Sequence, residues 1–203
     1  MAAGSREICG QLWRHRRVVL VMTAAVLMYG MSRAEDGASL CRAVVCTLVM
    51  IPSAVLDCIY GKLYHRLSFC LAAAGLLLAA AQGMAGGGAD SVLWSLAGGG
   101  LFGLLMLIVF VLGRGSMGFG DVCFAAGLGT FIPFAYVLLA FFLTFALGGV
   151  GAVLVYAAGA ARGRETAGRL PLGPFLAASC LLSILHGEEI VRWYLGTGQG
   201  RMG

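Results

Sequence analysis

The stretch from 91 to 113, SVLWSLAGGGLFGLLMLIVFVLG, carries no charged residue from end to end. At about 1.5 Å of rise per helical residue it is long enough to cross the hydrocarbon core of a bilayer. A water-facing amphipathic helix of that length needs a polar stripe, and this one has none. Similar apolar runs, separated by charged or proline-containing breaks, lie near 18 to 32, 39 to 60, 67 to 85, 122 to 133, 135 to 161 and 170 to 186. Across the 203 residues, 60% are apolar and only 11% charged, and the mean hydropathy is +0.93. These features predict an all-α, polytopic transmembrane helix bundle of about six to seven spans. The first and fifth runs are short for a full crossing, and Pro133 marks a break after the fifth.

The expected organisation is a cytoplasmic N-terminal segment (1–17), a transmembrane domain (18–186) and an interfacial C-terminal tail (187–203). Trp193 and Tyr194 suit headgroup depth in that tail, beside Glu188, Glu189 and Arg192. Arg14, Arg16 and Arg17 followed by the apolar Val18 to Met31 could open a signal peptide. The exit Ser32-Arg33-Ala34-Glu35 is charged rather than small and neutral, so a retained first span is expected.

The formal net charge of +5 reflects topology rather than a nucleic-acid partner, because the basic residues are scattered between spans. With the N-terminus in the cytoplasm, ten fall inside: Arg6, Arg14, Arg16, Arg17, Lys62, Arg66, Arg114, Arg162, Arg164 and Arg169. Four fall outside: Arg33, Arg42, Arg192 and Arg201. This orientation places Asp57 and Asp121 together at the cytoplasmic face. The seven cysteines, at 9, 41, 46, 58, 70, 123 and 180, contain no C-x-x-C pair and sit mostly in apolar runs. They read as small hydrophobes, so neither a metal site nor another cofactor is expected. Gly98, Gly99, Gly100 and Gly103, and later Gly148, Gly149 and Gly151, are expected to let helices pack closely.

Most of the nine acidic residues fall in loops: Glu7, Glu35, Asp36, Asp90, Glu165, Glu188 and Glu189. Asp57 and Asp121 instead border apolar runs, where a carboxylate is costly and invites a functional explanation. The alternative for each is a helix-end aspartate reaching headgroup water. Asp121 has a further alternative, a first-turn position favoured by the helix dipole. It closes Gly115-Ser116-Met117-Gly118-Phe119-Gly120-Asp121, whose glycines leave the backbone uncovered and allow positive φ, so that an extended peptide could approach. An ordinary glycine-rich loop is the competing reading. Two such carboxylates, if close enough to share a proton, can hydrolyse a peptide: one ionised group activates water while its protonated partner polarises the carbonyl.

Three segments, in this order and spacing, resemble the type IV prepilin peptidases and archaeal preflagellin peptidases, membrane aspartic proteases of the G-x-G-D class. They are Asp57-Cys58-Ile59-Tyr60-Gly61-Lys62-Leu63-Tyr64-His65-Arg66-Leu67-Ser68, Gly118-Phe119-Gly120-Asp121, and Arg169-Leu170-Pro171-Leu172-Gly173-Pro174-Phe175-Leu176. The resemblance implies catalytic Asp57 and Asp121, an active site at the cytoplasmic face of a prokaryotic plasma membrane, no metal, and a prepilin-like or pseudopilin-like membrane substrate whose basic leader is removed. Lys62, Gly118, Phe119 and Gly120 would then support substrate binding. Pro171, Gly173 and Pro174 fit that role and equally a structural one, since proline suits a first helical turn.

Two departures bear on substrate positioning: Leu63-Tyr64-His65 stands where the family usually has Ile-Pro-Asn, and Cys123 where it usually has Lys. The longer bacterial enzymes also carry a cysteine-bearing cytoplasmic domain that accompanies N-methylation, and methyltransferase activity is not expected here. His15 and His65 are read as loop or headgroup residues rather than general bases. One alternative keeps Asp57 and Asp121 as ion- or proton-binding groups of a non-catalytic transporter or assembly factor. Another is a signal-peptide-peptidase-like protease, against which the short interval between aspartates and the missing Pro-Ala-Leu motif both count.

Overall fold

A computed structural model describes residues 16–33, 37–60, 65–88, 90–114, 117–161 and 171–199. Among these the chain is helical without strands: α1 (Arg16–Arg33), α2 (Gly37–Tyr60), α3 (His65–Gln82), α4 (Asp90–Leu112), α5 (Phe119–Gly129), α6 (Val137–Ala161) and α7 (Gly173–Gln199). A π-helical turn, Gly83–Gly87, extends α3, and a 3₁₀ turn, Phe134–Tyr136, leads into α6. In a bilayer a helix satisfies its own backbone groups, which makes this the available architecture for so apolar a chain.

Among the described residues, five stretches are long and apolar enough to span a membrane: Leu40–Asp57, His65–Gly86, Asp90–Leu112, Phe134–Ala158 and Gly173–Gly196. Large apolar side chains such as Leu77, Val111, Leu112, Phe142 and Val153 remain exposed on the outside of the bundle. In an integral membrane protein that surface meets lipid. The short runs at the first and fifth positions are helices too, but of a different kind. α1 carries Arg16, Arg17 and Arg33 and packs on α2. α5 has only 11 residues, about 16 Å of rise, roughly half the hydrocarbon thickness. α7 runs as one helix through Trp193 and Tyr194 to Gln199, so the described part of the tail expected at 187–203 is helical.

α5 is seated in a trough between α3 and α4, and those two interfaces are the most extensive it makes. Close approach explains its small residues. A Cβ at Gly98 would lie 2.6 Å from the Gly129 carbonyl oxygen, one at Gly103 2.8 Å from Ala126 Cβ, and one at Gly127 2.9 Å from the Ser68 carbonyl oxygen. These pairs fix direction: α4 runs antiparallel to α5, and α3 parallel to it. Ser95 Oγ donates to the Thr130 carbonyl at 2.8 Å, adding a polar tie at the far end of α5.

α7 closes the other side against α2 and α6. Thr144 and Ser179 share a buried hydroxyl contact of 2.7 Å across α6 and α7, while Cys46 and Cys180 face each other across α2 and α7 with sulfurs 3.9 Å apart. Within α2, Pro52 removes one backbone donor, and Ser53 Oγ supplies a bond to the Val49 carbonyl at 2.8 Å. One apolar cluster joins all of these helices, with Met50, Leu71, Phe102, Met106, Phe124, Leu128 and Leu176 wholly enclosed.

Candidate active site

Asp57 stands in the last turn of α2, four residues beyond Ser53, and is 5% exposed. A carboxylate this enclosed needs donors. The nearest comes from the start of α7: the Gly173 N–H donates to Asp57 Oδ2 at 2.8 Å. The first N–H groups of a helix have no partner within it. The Leu172 carbonyl accepts the first helical bonds, from Phe175 and Leu176, which leaves the Gly173 N–H directed outward to α2. Pro174, having no N–H, sits where none is needed. A side chain at 173 would collide with the aspartate, since an added Cβ would lie 2.7 Å from Oδ2 and 3.1 Å from Cγ. The Pro171-to-Pro174 element is therefore a docking piece for Asp57.

Asp121 is the third residue of α5 and is half-buried. It exchanges reciprocal bonds with Gly118: its N–H donates to the Gly118 carbonyl at 3.1 Å, and the Gly118 N–H donates to its Oδ2, also at 3.1 Å. The first-turn role considered from sequence is thus real, and it holds the carboxylate in a defined place. The expectation of positive φ in this loop is not met at Gly118, whose φ is −80° and ψ 140°, an extended geometry open to any residue. Gly120 lies within the helix. The positive φ values among the described residues belong to Gly86, Gly88 and Arg114. What Gly118 supplies instead is bare backbone beside the carboxylate, an added Cβ there lying 3.3 Å from Asp121 Oδ2.

Both aspartates lie at one end of the bundle. α2 finishes at Tyr60 and α3 begins at His65, whose ring packs on Phe119 with centroids 6.1 Å apart. Phe119, largely exposed, also meets Phe110 near the end of α4 at 5.8 Å. α7, which holds Asp57, contacts α5 as well, and the residue after Asp121, Val122, shares the core cluster with Ile51, Ala54 and Leu176. Asp57, Gly118, Phe119, Gly120, Asp121, Pro171, Gly173 and Pro174 are thereby gathered around one rim. Lys62, Tyr64 and Arg169 lie outside the described residues. His65, expected in a loop or at headgroup depth, opens α3, exposed, against Phe119. The direct tie from Gly173 to Asp57 was not visible in sequence, where the two are 116 positions apart.

Residues 44–153 match the model of the type IV leader peptidase family. The matched range includes both aspartates, while the Pro171-to-Pro174 element falls beyond it. Among curated proteins, the chain is similar to a prepilin leader peptidase/N-methyltransferase of Aeromonas salmonicida, 32% identical over 112 residues, which cover 53% of this chain and 36% of that protein. A protein of the same description from Aeromonas hydrophila is 30% identical over 157 residues, covering 75% of this chain and 52% of the relative. The chain thus spans about a third to a half of the length of these relatives. No solved structure matches it.

Proposed function

The chain belongs to the type IV leader peptidase family, and from that premise we propose that it is a membrane aspartic endopeptidase removing the basic leader of prepilin-like or pseudopilin-like precursors. Asp57 and Asp121 are its catalytic pair. The observation that carries this reading is the placement of two carboxylates at one rim, each steadied through Oδ2 by a backbone N–H. In the proposed reaction the pair shares one proton. The ionised member takes a proton from water as that water attacks the scissile carbonyl, and the protonated member donates a hydrogen bond to the developing oxyanion. The two groups titrate as a unit.

The rim faces the cytoplasm in this reading, with ten basic residues assigned to that side and four to the other. A short basic leader then never crosses the membrane. The precursor's apolar helix packs against the bundle, and binding energy remote from the scissile bond brings that bond to the aspartates. Phe119 and the uncovered backbone at Gly118 and Gly120 border the path of the extended peptide, with Lys62 nearby in sequence after Asp57. The end of α7, bearing Trp193 and Tyr194, lies at headgroup depth on the opposite face. The proposal covers peptide cleavage; the methyl transfer in the relatives' description is not part of it.

The test is co-expression with a membrane-inserted precursor bearing a short basic leader, followed by measuring precursor size. The wild-type chain should shorten it, and Asp57→Asn or Asp121→Asn should each slow the cleavage by about 100-fold or more while still inserting in the membrane. Unaltered processing by either variant would sink the pair.

A further inference from the structure

The end of the bundle away from the aspartates holds a cavity of about 540 Å³, within the range of small-molecule sites. It exists because α5 is short. That helix stops at Gly129, and the chain turns through Thr130 to Pro133, so the space beyond its tip stays unfilled between the start of α2, the end of α3 and the start of α4. Arg42, fifteen residues before Asp57 on α2 and so about 22 Å along the axis, lines this cavity with Asp90, Ser91, Trp94, Ser95 and Phe134.

The charges in the cavity are set apart. Arg42 is half-buried, and its guanidinium is fixed by the neutral Gln82 side chain, Nε donating to Oε1 at 2.9 Å with a second bond from the terminal nitrogen. No described carboxylate pairs with it. Asp90, exposed in the first turn of α4, likewise has no cationic partner among the described residues. Both line one cavity without forming an ion pair to each other. Beside Asp90 stand Trp94 and Phe134, their rings tilted at 47° with centroids 5.4 Å apart, an aromatic wall of the kind that attracts cations. A held guanidinium suits a phosphate. A carboxylate next to aromatic faces suits an ammonium. Arg42 is moreover one of the few basic residues on the side where the charge bias disfavours them.

We propose that this cavity binds a phosphoethanolamine-type zwitterion, with its phosphate on Arg42 and its ammonium at Asp90 and the Trp94–Phe134 wall. Either phosphatidylethanolamine entering from the outer leaflet or a free phosphoethanolamine head supplies that chemistry. An anionic headgroup such as phosphatidylglycerol would satisfy Arg42 but leave Asp90 repelling it. The site lies at the opposite end of the bundle from the proposed peptidase centre and does not depend on that reading.

Native mass spectrometry of the full chain in detergent, titrated with phosphatidylethanolamine or phosphatidylglycerol, tests it. The wild type should retain phosphatidylethanolamine with a preference of about fivefold, the size of an exposed carboxylate–ammonium pair at Asp90. Asp90→Asn should bring that preference close to parity. Arg42→Gln should weaken retention of both lipids by about tenfold, as loss of a charge-assisted bond implies, with Arg42→Lys recovering part of it. Competition by free O-phosphoethanolamine identifies a soluble occupant, and retention in its presence identifies the lipid; either supports the zwitterion site. Equal retention of the two lipids by the wild type, or a preference unmoved by Asp90→Asn, overturns it. Asp90 is exposed, so this second variant decides the matter even if Arg42→Gln fails to insert.

Discussion

The two aspartates are steadied in opposite ways. Asp57 takes its hydrogen bond from a residue 116 positions away, across the contact of α2 with α7, whereas Asp121 takes its own from three residues back in the same turn. The Gly173 bond is made by tertiary docking, and the Gly118 bond by local helix geometry. The proposed site is accordingly more fragile at one aspartate than at the other. A perturbation anywhere along the α2–α7 seam reaches Asp57, while Asp121 keeps its turn so long as α5 stays seated between α3 and α4.

The largest effect is therefore expected at Gly173. In Gly173→Ala the new methyl group would stand 2.7 Å from Asp57 Oδ2 and 3.0 Å from its Cβ, contacts that require either the aspartate rotamer or the start of α7 to move. A displacement on the order of 1 Å at a catalytic group costs about 100-fold in rate. Precursor cleavage in the co-expression assay should fall by about that factor, with the protein still present in the membrane. Wild-type cleavage by this variant would mean that the Gly173 bond does not govern Asp57, and the contrast between the two aspartates would collapse.

How much of this was legible in the sequence follows the same division. The uncharged run at 91–113 and its companions announced spanning helices because lipid exposure leaves no room for a polar face. The Gly118-to-Asp121 turn was legible because its geometry is local, and its first-turn role could be weighed directly. The continuation of α7 to Gln199 was not legible, since Glu188, Glu189 and Arg192 lower hydropathy without breaking a helix. Glu188 pairs with Arg192 one turn on, as i and i+4 residues on a helix face can. The reach of Gly173 to Asp57 and the cavity beyond α5 both arise from how separate helices meet. Asp90 reads as a loop residue in the sequence for the same reason, as no periodicity along the chain brings it to the cavity that Arg42 lines.

A middle-sized effect is expected where α5 is seated. The α4–α5 approach leaves a Cβ at Gly129 only 2.6 Å from the Gly98 carbonyl oxygen and 2.9 Å from Gly99 Cα, so neither neighbour can yield by rotating a side chain. Gly129→Ala should push the helices apart at a cost of about 1–3 kcal/mol, the usual penalty of overpacking. The readout is the thermal unfolding midpoint in detergent, which should drop, whereas Gly149→Ala, with nothing within 4 Å of the added carbon, should leave it nearly unmoved. Equal midpoints for the two variants would show that α5 is not wedged, and that the local support of Asp121 needs no tertiary frame.

The smallest effect sharpens the comparison most, because it changes a glycine beside the other aspartate. At Gly118 an added methyl would lie 3.3 Å from Asp121 Oδ2, a tight contact but one against the tip of a side chain. The backbone there, at φ −80° and ψ 140°, suits alanine. Gly118→Ala keeps the N–H that donates to Asp121, so cleavage should fall by less than about tenfold. Lower chain entropy in the unfolded state should meanwhile offset part of the crowding, by about 0.4–1 kcal/mol. The same chemical change, one methyl group beside a carboxylate of the proposed pair, is thus expected to do far less at 118 than at 173. At 118 the carboxylate can shift by a few tenths of an ångström within its own turn, and at 173 it is clamped between two helices.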